Sequence, residues 1–266
     1  MLRDRVITAI VIIAILVPLF LFGGVLGVAF LVTALGGTAV WELARCLPAL
    51  KKSPGKEITL VLGFGIIATF YSFSLGTLMA VLAWYPLLVI LIHLILYHKI
   101  EQTLESASEM IFALAYVIVP LSHAILVRRL DLGIAWIFFI MVVVCFGDVG
   151  AYFGGRFFGK HRFSKSISPS KTVEGLGGSL LGNLVGMLGV KLAFPGLPSL
   201  WYLLVVTLML AVAGPVGDLT ASMIKRRLAI KDFGTIMPGH GGVLDRADSL
   251  ILAFPATFYF LFLVGY

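Results

Sequence analysis

The sequence predicts an all-α, polytopic membrane protein with about nine transmembrane helices. Three observations carry this. Of 266 residues, 60% are apolar and only 12% are charged, about half the charge of an ordinary soluble domain. Apolar runs of roughly twenty residues recur along the whole chain, the length an α-helix needs to cross a ~30 Å hydrocarbon core. The charge that remains is gathered into a few short loops and helix ends.

Taken in order, the expected spans are 6–22, 25–46, 57–73, 76–97, 109–129, 133–156, 173–194, 200–225 and 244–265. The first has Arg3 and Arg5 ahead of an apolar run, like a signal peptide. More apolar sequence follows it rather than a small-residue cleavage site, so it reads as a retained helix. The third is short for the core thickness. With the N-terminus in the cytoplasm, the other side receives only Arg128, Arg129 and Lys191. The remaining 17 of 20 Lys and Arg fall on the cytoplasmic side, a strong positive-inside asymmetry that also puts the C-terminus outside. No stretch is polar enough for a soluble domain. The chain 1–266 reads as one membrane domain, with a scaffold and candidate dimerisation region over 1–130 and the chemistry over 131–266.

The first half carries few reactive groups. Cys46 and Cys145 lie far apart and read as apolar fillers. His93, His98 and His123 have no partner at metal-ligand spacing, and each reads as a satisfied or interfacial histidine. Glu42 has Arg45 three residues on and reads as a structural pair with it. The segment 98–108 is polar and mixed in charge, a connector or surface helix. The basic residues are split among short loops, which excludes a nucleic-acid interface; a cationic face of this kind suits anionic lipid headgroups.

From residue 147 the character changes. Asp148 sits inside an apolar helix with Gly147, Gly150, Gly154 and Gly155 around it, and these glycines permit close approach of a helix or a ligand. Lys160 opens the next loop. Ser168, Pro169, Ser170, Lys171 and Thr172 then lead into the seventh span and read as a helix N-terminus, whose amides suit an anion. Lys171 adds a point charge for phosphate, and Glu174 competes as a capping residue. In the eighth span Pro215 is expected to break or bend the helix just before Asp218.

The densest cluster is Ser222–Asp248, with five cations, three aspartates and the turn Gly239-His240-Gly241-Gly242 between two apolar runs. Charge so close to hydrocarbon is a functional candidate by default. Asp245 and Asp248 share one helix face, with Arg246 pointing away. Facing Asp218, they would make an oxygen-rich site for a hard cation such as Mg²⁺. The glycines allow backbone N–H groups to turn towards a phosphate, and His240 reads as a phosphate contact or as a turn histidine. Ser222 lacks a general base at a telling spacing. These parts suit in-line transfer of a phosphorus group by positioning and charge.

Two blocks carry a resemblance to a known family. One is Ser222-x2-Lys225-Arg226-x4-Lys231-Asp232-x-Gly234-x5-His240-Gly241-Gly242-x2-Asp245-Arg246-x-Asp248. The other is Asp148-x2-Ala151-Tyr152-Phe153-x-Gly155-Arg156, with Lys160 and Ser168-Pro169-x-Lys171-Thr172-x-Glu174-Gly175. Together they resemble the phosphatidate cytidylyltransferases, or CDP-diacylglycerol synthases; Ser170 stands where a second lysine is common. The resemblance implies a nucleotidyltransferase that joins CTP and phosphatidic acid into CDP-diacylglycerol and pyrophosphate. It implies an inner-membrane homodimer that depends on Mg²⁺, with a cytoplasm-facing polar cavity and a second cation such as K⁺. Carried onto these residues, Asp218, Asp245 and Asp248 bind metal, and Lys225 and Arg226 complete the catalytic set. Asp148, Lys160, Ser168, Lys171, Thr172, Glu174, Ser222, Lys231, Asp232, His240, Gly241, Gly242 and Arg246 hold CTP or the lipid phosphate.

Two other classes fit part of the pattern. A CTP-dependent enzyme acting on a polyprenol or an archaeal lipid would need nearly the same site. An ion-coupled transporter would carry acids near the bilayer midplane and repeat its topology between halves. Here the basic charge is one-sided, and the aspartate- and glycine-bearing blocks lie in the second half.

Overall fold

The computed structural model describes residues 18–51, 55–72, 74–96, 100–164, 166–236 and 241–266. Among them the architecture is all-helical, with one isolated bridge between Arg162 and Thr172. The helices are α1 (Gly24–Cys46), α2 (Pro48–Lys51), α3 (Gly55–Ser72), α4 (Leu75–Leu96), α5 (Ile100–Ala113), α6 (Val119–Arg129), α7 (Gly133–Phe158), α8 (Val173–Ala193), α9 (Leu200–Arg227) and α10 (Leu244–Leu263).

Seven helical stretches among the described residues are long and apolar enough to cross a membrane: Gly24–Cys46, Gly76–Leu96, Thr103–Arg129, Gly133–Phe158, Val173–Ala193, Leu200–Arg227 and Leu244–Leu263. The expected count of nine is therefore not reproduced. Most of the first expected span, 6–22, lies outside the described residues. The third forms as α3, but its 18 residues reach only about 27 Å, and Lys56 and Glu57 occupy its first turn. The fifth starts earlier than expected. Residues 100–108 are helical and run on through a π-helical stretch, Leu114–Ile118, into α6. Of the two expected readings of this stretch, connector or surface helix, the helix forms, and Thr103–Arg129 is long and apolar enough to span.

The chain forms two compact units. The first comprises the chain up to Leu126 together with Asp232–Arg246. Its core is built where glycines let helices meet. Gly36 of α1 and Gly63 of α3 both face Ile118, and Gly37 faces Phe64 and Leu60. The carboxylate of Glu109 on α5 accepts the backbone N–H groups of Ala49 (2.9 Å) and Leu50 (3.0 Å). It thereby satisfies donors that the short α2 leaves open. His93 and His123 are buried and each bonds through Nδ1 to the carbonyl four residues before it, Val89 (2.8 Å) and Val119 (2.9 Å). Both are core histidines held by a backbone bond. α4 exposes Trp84, Leu87, Leu91, Leu94 and Ile95, a face suited to lipid rather than to water.

The second unit comprises Val127–Lys231 and Ala247–Tyr266. Its tightest packing is α7 against α8. A Cβ on Gly150 or Gly178 would collide with the carbonyl oxygen of the other residue, and one on Gly182 with Phe146 O. The glycines around Asp148 therefore admit a helix, the first of the two roles their spacing allows. α9 runs from Leu200 to Arg227 through Pro215 without interruption, so the proline does not break the helix. The ring removes one N–H, and the hydrogen bonds on either side hold the rod together.

Candidate active site

Two constellations of the expected residues form, one in each unit. In the second unit α7, α8, α9 and α10 each contribute. Lys171, in the loop that enters α8, places its ammonium 2.6 Å from Asp218 Oδ2 on α9. The same ammonium lies 3.5 Å from Pro215 O, one turn earlier. Ser222, one turn after Asp218, donates to its Oδ1 at 3.4 Å. Asp148, Asp218 and Asp248 lie within electrostatic reach of one another, and the positive charges acting on them are Lys171 and Lys225. Asp248 is 8% exposed. Its Oδ1 accepts Ser249 N–H at 2.7 Å, and its backbone oxygen sits where a Cβ of Gly217 would lie. Three acids and two lysines thus form one charged cluster among apolar helices, where unpaired charge is costly.

The loop before α8 is braced from several sides. Val173 N–H bonds His161 O (2.8 Å) and Phe163 N–H bonds Lys171 O (3.4 Å). Thr172 caps α8 by accepting Gly175 N–H at 3.1 Å. Glu174, in the first turn of α8, also braces the loop. It accepts the backbone N–H of Lys160 (3.1 Å) and His161 (3.2 Å) and bonds His161 Nδ1 at 2.6 Å. The expected open helix N-terminus is therefore partly spent: the Val173 and Gly175 amides already have partners. Arg226 Nε donates to Ile167 O at 3.2 Å, which ties the same loop to the end of α9. Ser168 stands at its turn, its backbone bonded to Ser164 and Lys171. The side chain of Lys160 is exposed, as is that of Lys231 at the unit's edge.

In the first unit the segment Asp232–Arg246 carries the rest. Asp245 Oδ2 accepts two backbone N–H groups, from Phe233 (2.9 Å) and Gly242 (3.1 Å). Asp245 therefore organises the glycine turn as well as standing one turn before Asp248 on α10. Gly241 has φ +83°, a left-handed conformation that glycine supplies without strain. A Cβ there would contact the carboxylates of Asp245 and Asp232. Arg246 is exposed, as expected. His240 lies outside the described residues.

Sequence reasoning missed Glu42. It is 3% exposed and forms no ion pair with Arg45 among the described residues; instead Oε2 accepts Leu244 N–H at 3.0 Å. One turn on, Cys46 Sγ donates to Phe233 O at 3.4 Å. The signal available was an intramembrane carboxylate in an otherwise apolar span.

Among the described residues, no three His, Cys, Asp or Glu side chains gather into a ready-made metal cage. The donor set still fits Mg²⁺. That ion takes oxygen ligands and is commonly held by one or two carboxylates plus substrate phosphates, keeping waters. An apolar groove of about 740 Å³ runs between α9 and α10, lined by Val205, Met209, Val216, Leu252, Pro255 and Tyr259 among others. Its Val216 end lies two residues from Asp218.

An α-helical membrane unit that gathers lysines and aspartates in this way defines a candidate phosphoryl- or nucleotidyl-transfer site. The chain belongs to the cytidylyltransferase family, whose profile matches residues 3–264. The phosphatidate cytidylyltransferase of Bacillus subtilis strain 168 is 35% identical to it over 268 residues, with 97% of each chain covered. The phosphatidate cytidylyltransferase of Staphylococcus aureus strain COL is 31% identical over 255 residues, covering 95% of this chain and 96% of its own. That of Staphylococcus saprophyticus is 44% identical over 123 residues, 46% of this chain and 47% of its own.

Proposed function

We propose that the protein transfers the cytidylyl group of CTP to phosphatidic acid, giving CDP-diacylglycerol and pyrophosphate. The observation that carries this reading is the near full-length similarity to phosphatidate cytidylyltransferases. The Lys171–Asp218 cluster supplies the chemistry such a reaction needs.

An oxygen of the lipid phosphate attacks the α-phosphorus of CTP. The bond from that phosphorus to the oxygen bridging to the β-phosphorus breaks, and pyrophosphate leaves with the electron pair. A lipid phosphate is already ionised near neutral pH, so no strong base is required. Lys171, Lys225 and Arg226 neutralise the phosphates, and Lys160, Lys231 and Arg246 extend the positive rim. Ser168, Thr172 and Glu174 hold the loop that presents Lys171. Asp148 forms the second wall, and Ser222 orients Asp218. Asp232, His240, Gly241 and Gly242 form the turn that receives phosphate. Asp218 and Asp248, with Asp245 one turn before the latter, would hold Mg²⁺. When bound, Mg²⁺ supplies charge neutralisation on the nucleotide phosphates. A second cation such as K⁺ is part of the reading. The groove between α9 and α10 receives an acyl chain of the lipid.

The site faces the cytoplasm of a bacterial inner membrane, because tetra-anionic CTP is soluble there and the basic residues fall on that side. N-terminus inside, C-terminus outside and a homodimer complete the reading. The test uses purified protein in detergent with cytosine-labelled CTP, phosphatidic acid and Mg²⁺. The expected result is label in the organic phase, lost with EDTA and in Asp248→Asn. Label that appears only with a polyprenyl or archaeal lipid would replace the substrate, and absence of CTP binding would favour a transporter.

A further inference from the structure

We propose that Glu42 is a positioning residue: its buried carboxylate sets the conformation of the Gly241–Asp245 turn. The proposal takes its assay from the proposed activity, but its geometry stands without it.

Glu42 lies near the C-terminal end of α1, 202 residues from the backbone it holds. One oxygen accepts Leu244 N–H. The other, Oε1, is fully buried and has no hydrogen-bond partner among the described residues. A buried, half-satisfied carboxylate within a spanning helix is costly and has to be offset by something specific. What it does is fill space that two glycines leave open. A Cβ on Gly242 would lie 2.5 Å from Oε2 and 2.8 Å from Cδ, and one on Gly234 would collide with Oε1 and lie 2.5 Å from Cδ. Neither glycine has a positive φ, so their backbones would accept alanine. The obstacle is the Glu42 carboxylate. Glu42 therefore packs against both Gly234 and Gly242, while Asp245 holds Phe233 and Gly242 together from within. Cys46 adds a third tie from the same helix face. The outer clamp (Glu42) and the inner clamp (Asp245) share Gly242, which gives Glu42 leverage over the direction in which Asp245 points. It touches no substrate.

The experiment compares Glu42→Ala, Glu42→Gln, Glu42→Asp and Gly242→Ala, alone and combined, by kcat, KM for CTP, thermal melting and amide exchange of the 241–246 segment. Glu42→Ala and Gly242→Ala are each expected to lower kcat/KM roughly a hundredfold, the scale of a misplaced reactive group. Glu42→Gln, which keeps an acceptor at the same reach, returns within about tenfold of the parent. Adding Gly242→Ala to Glu42→Ala costs less than about threefold more, because the obstacle is gone. If Glu42→Ala fails to fold, Glu42→Asp serves as the retracted background for the same comparison. Multiplicative losses in the double variant, or unchanged exchange at 241–246 in Glu42→Ala, overturn the proposal. The exchange readout needs no turnover, so a failure of the proposed reaction is distinguished from a failure of this one.

Discussion

The ammonium of Lys171 sits 2.6 Å from the carboxylate of Asp218, joining residues 47 positions apart in a cluster that also contains Asp148 and Asp248. The pair is partly open: the Lys171 and Asp218 side chains are 21% and 35% exposed. An arriving phosphate can therefore compete with Asp218 for the lysine. Lys171→Met is expected to lower kcat roughly a hundredfold, the scale of losing one charged donor at a reacting centre. Lys171→Arg, which keeps charge and reach, recovers part of it. Steady-state kinetics of both variants check this; equal losses would mean that charge is not what Lys171 contributes.

Asp218→Asn and Asp248→Asn are expected to abolish turnover while the protein stays folded. The carboxamide keeps shape but loses the charge needed to hold a divalent cation. Activity is measured beside a thermal melt and a Mg²⁺ titration. Full activity in either variant removes that residue from the metal-binding set.

The α7–α8 contact gives a stability prediction. Gly178→Ala places a methyl against Gly150 O and Gly154 Cα and is expected to cost about 1–3 kcal/mol, read as a lower Tm. Gly177→Ala, beside it, meets nothing within 4 Å. It leaves Tm unchanged or raises it, since alanine favours the helix. Equal drops in both would contradict the packing account.

Glu174 fastens the turn at Lys160 and His161. Glu174→Ala is expected to speed tryptic cleavage after Lys160 and Arg162, and to raise KM for CTP roughly tenfold with a smaller change in kcat. An unchanged cleavage pattern would show that the loop is held elsewhere.

Much of this was legible in the sequence for local reasons. Span lengths, the Asp245–Asp248 spacing and the Thr172 entry into α8 depend on neighbours within a turn or two. The rest turned on distance or continuity. Pro215 locally suggests a break or a bend; α9 runs through it unbroken, because a helix can absorb one missing N–H. The polar stretch 100–108 reads locally as a connector or a surface helix; it is helical, and continuity with the next apolar run decides between the two. Glu42 was paired with Arg45 because the i+3 neighbour was visible, whereas its partner in space, Leu244, is separated by most of the chain. Glu174 illustrates the same limit at shorter range: its acceptor role for Lys160 and His161 follows from the fold of the loop, not from its place in the helix.

The central claim is nucleotidyl transfer rather than phosphoryl transfer or transport. The most direct measurement supplies phosphatidic acid and Mg²⁺ with CTP labelled at either the α- or the γ-phosphorus, then separates lipid from water. The account predicts α-label in the lipid and γ-label in pyrophosphate, in equal amounts. γ-Label in the lipid, or none in either product while CTP is bound, would contradict it.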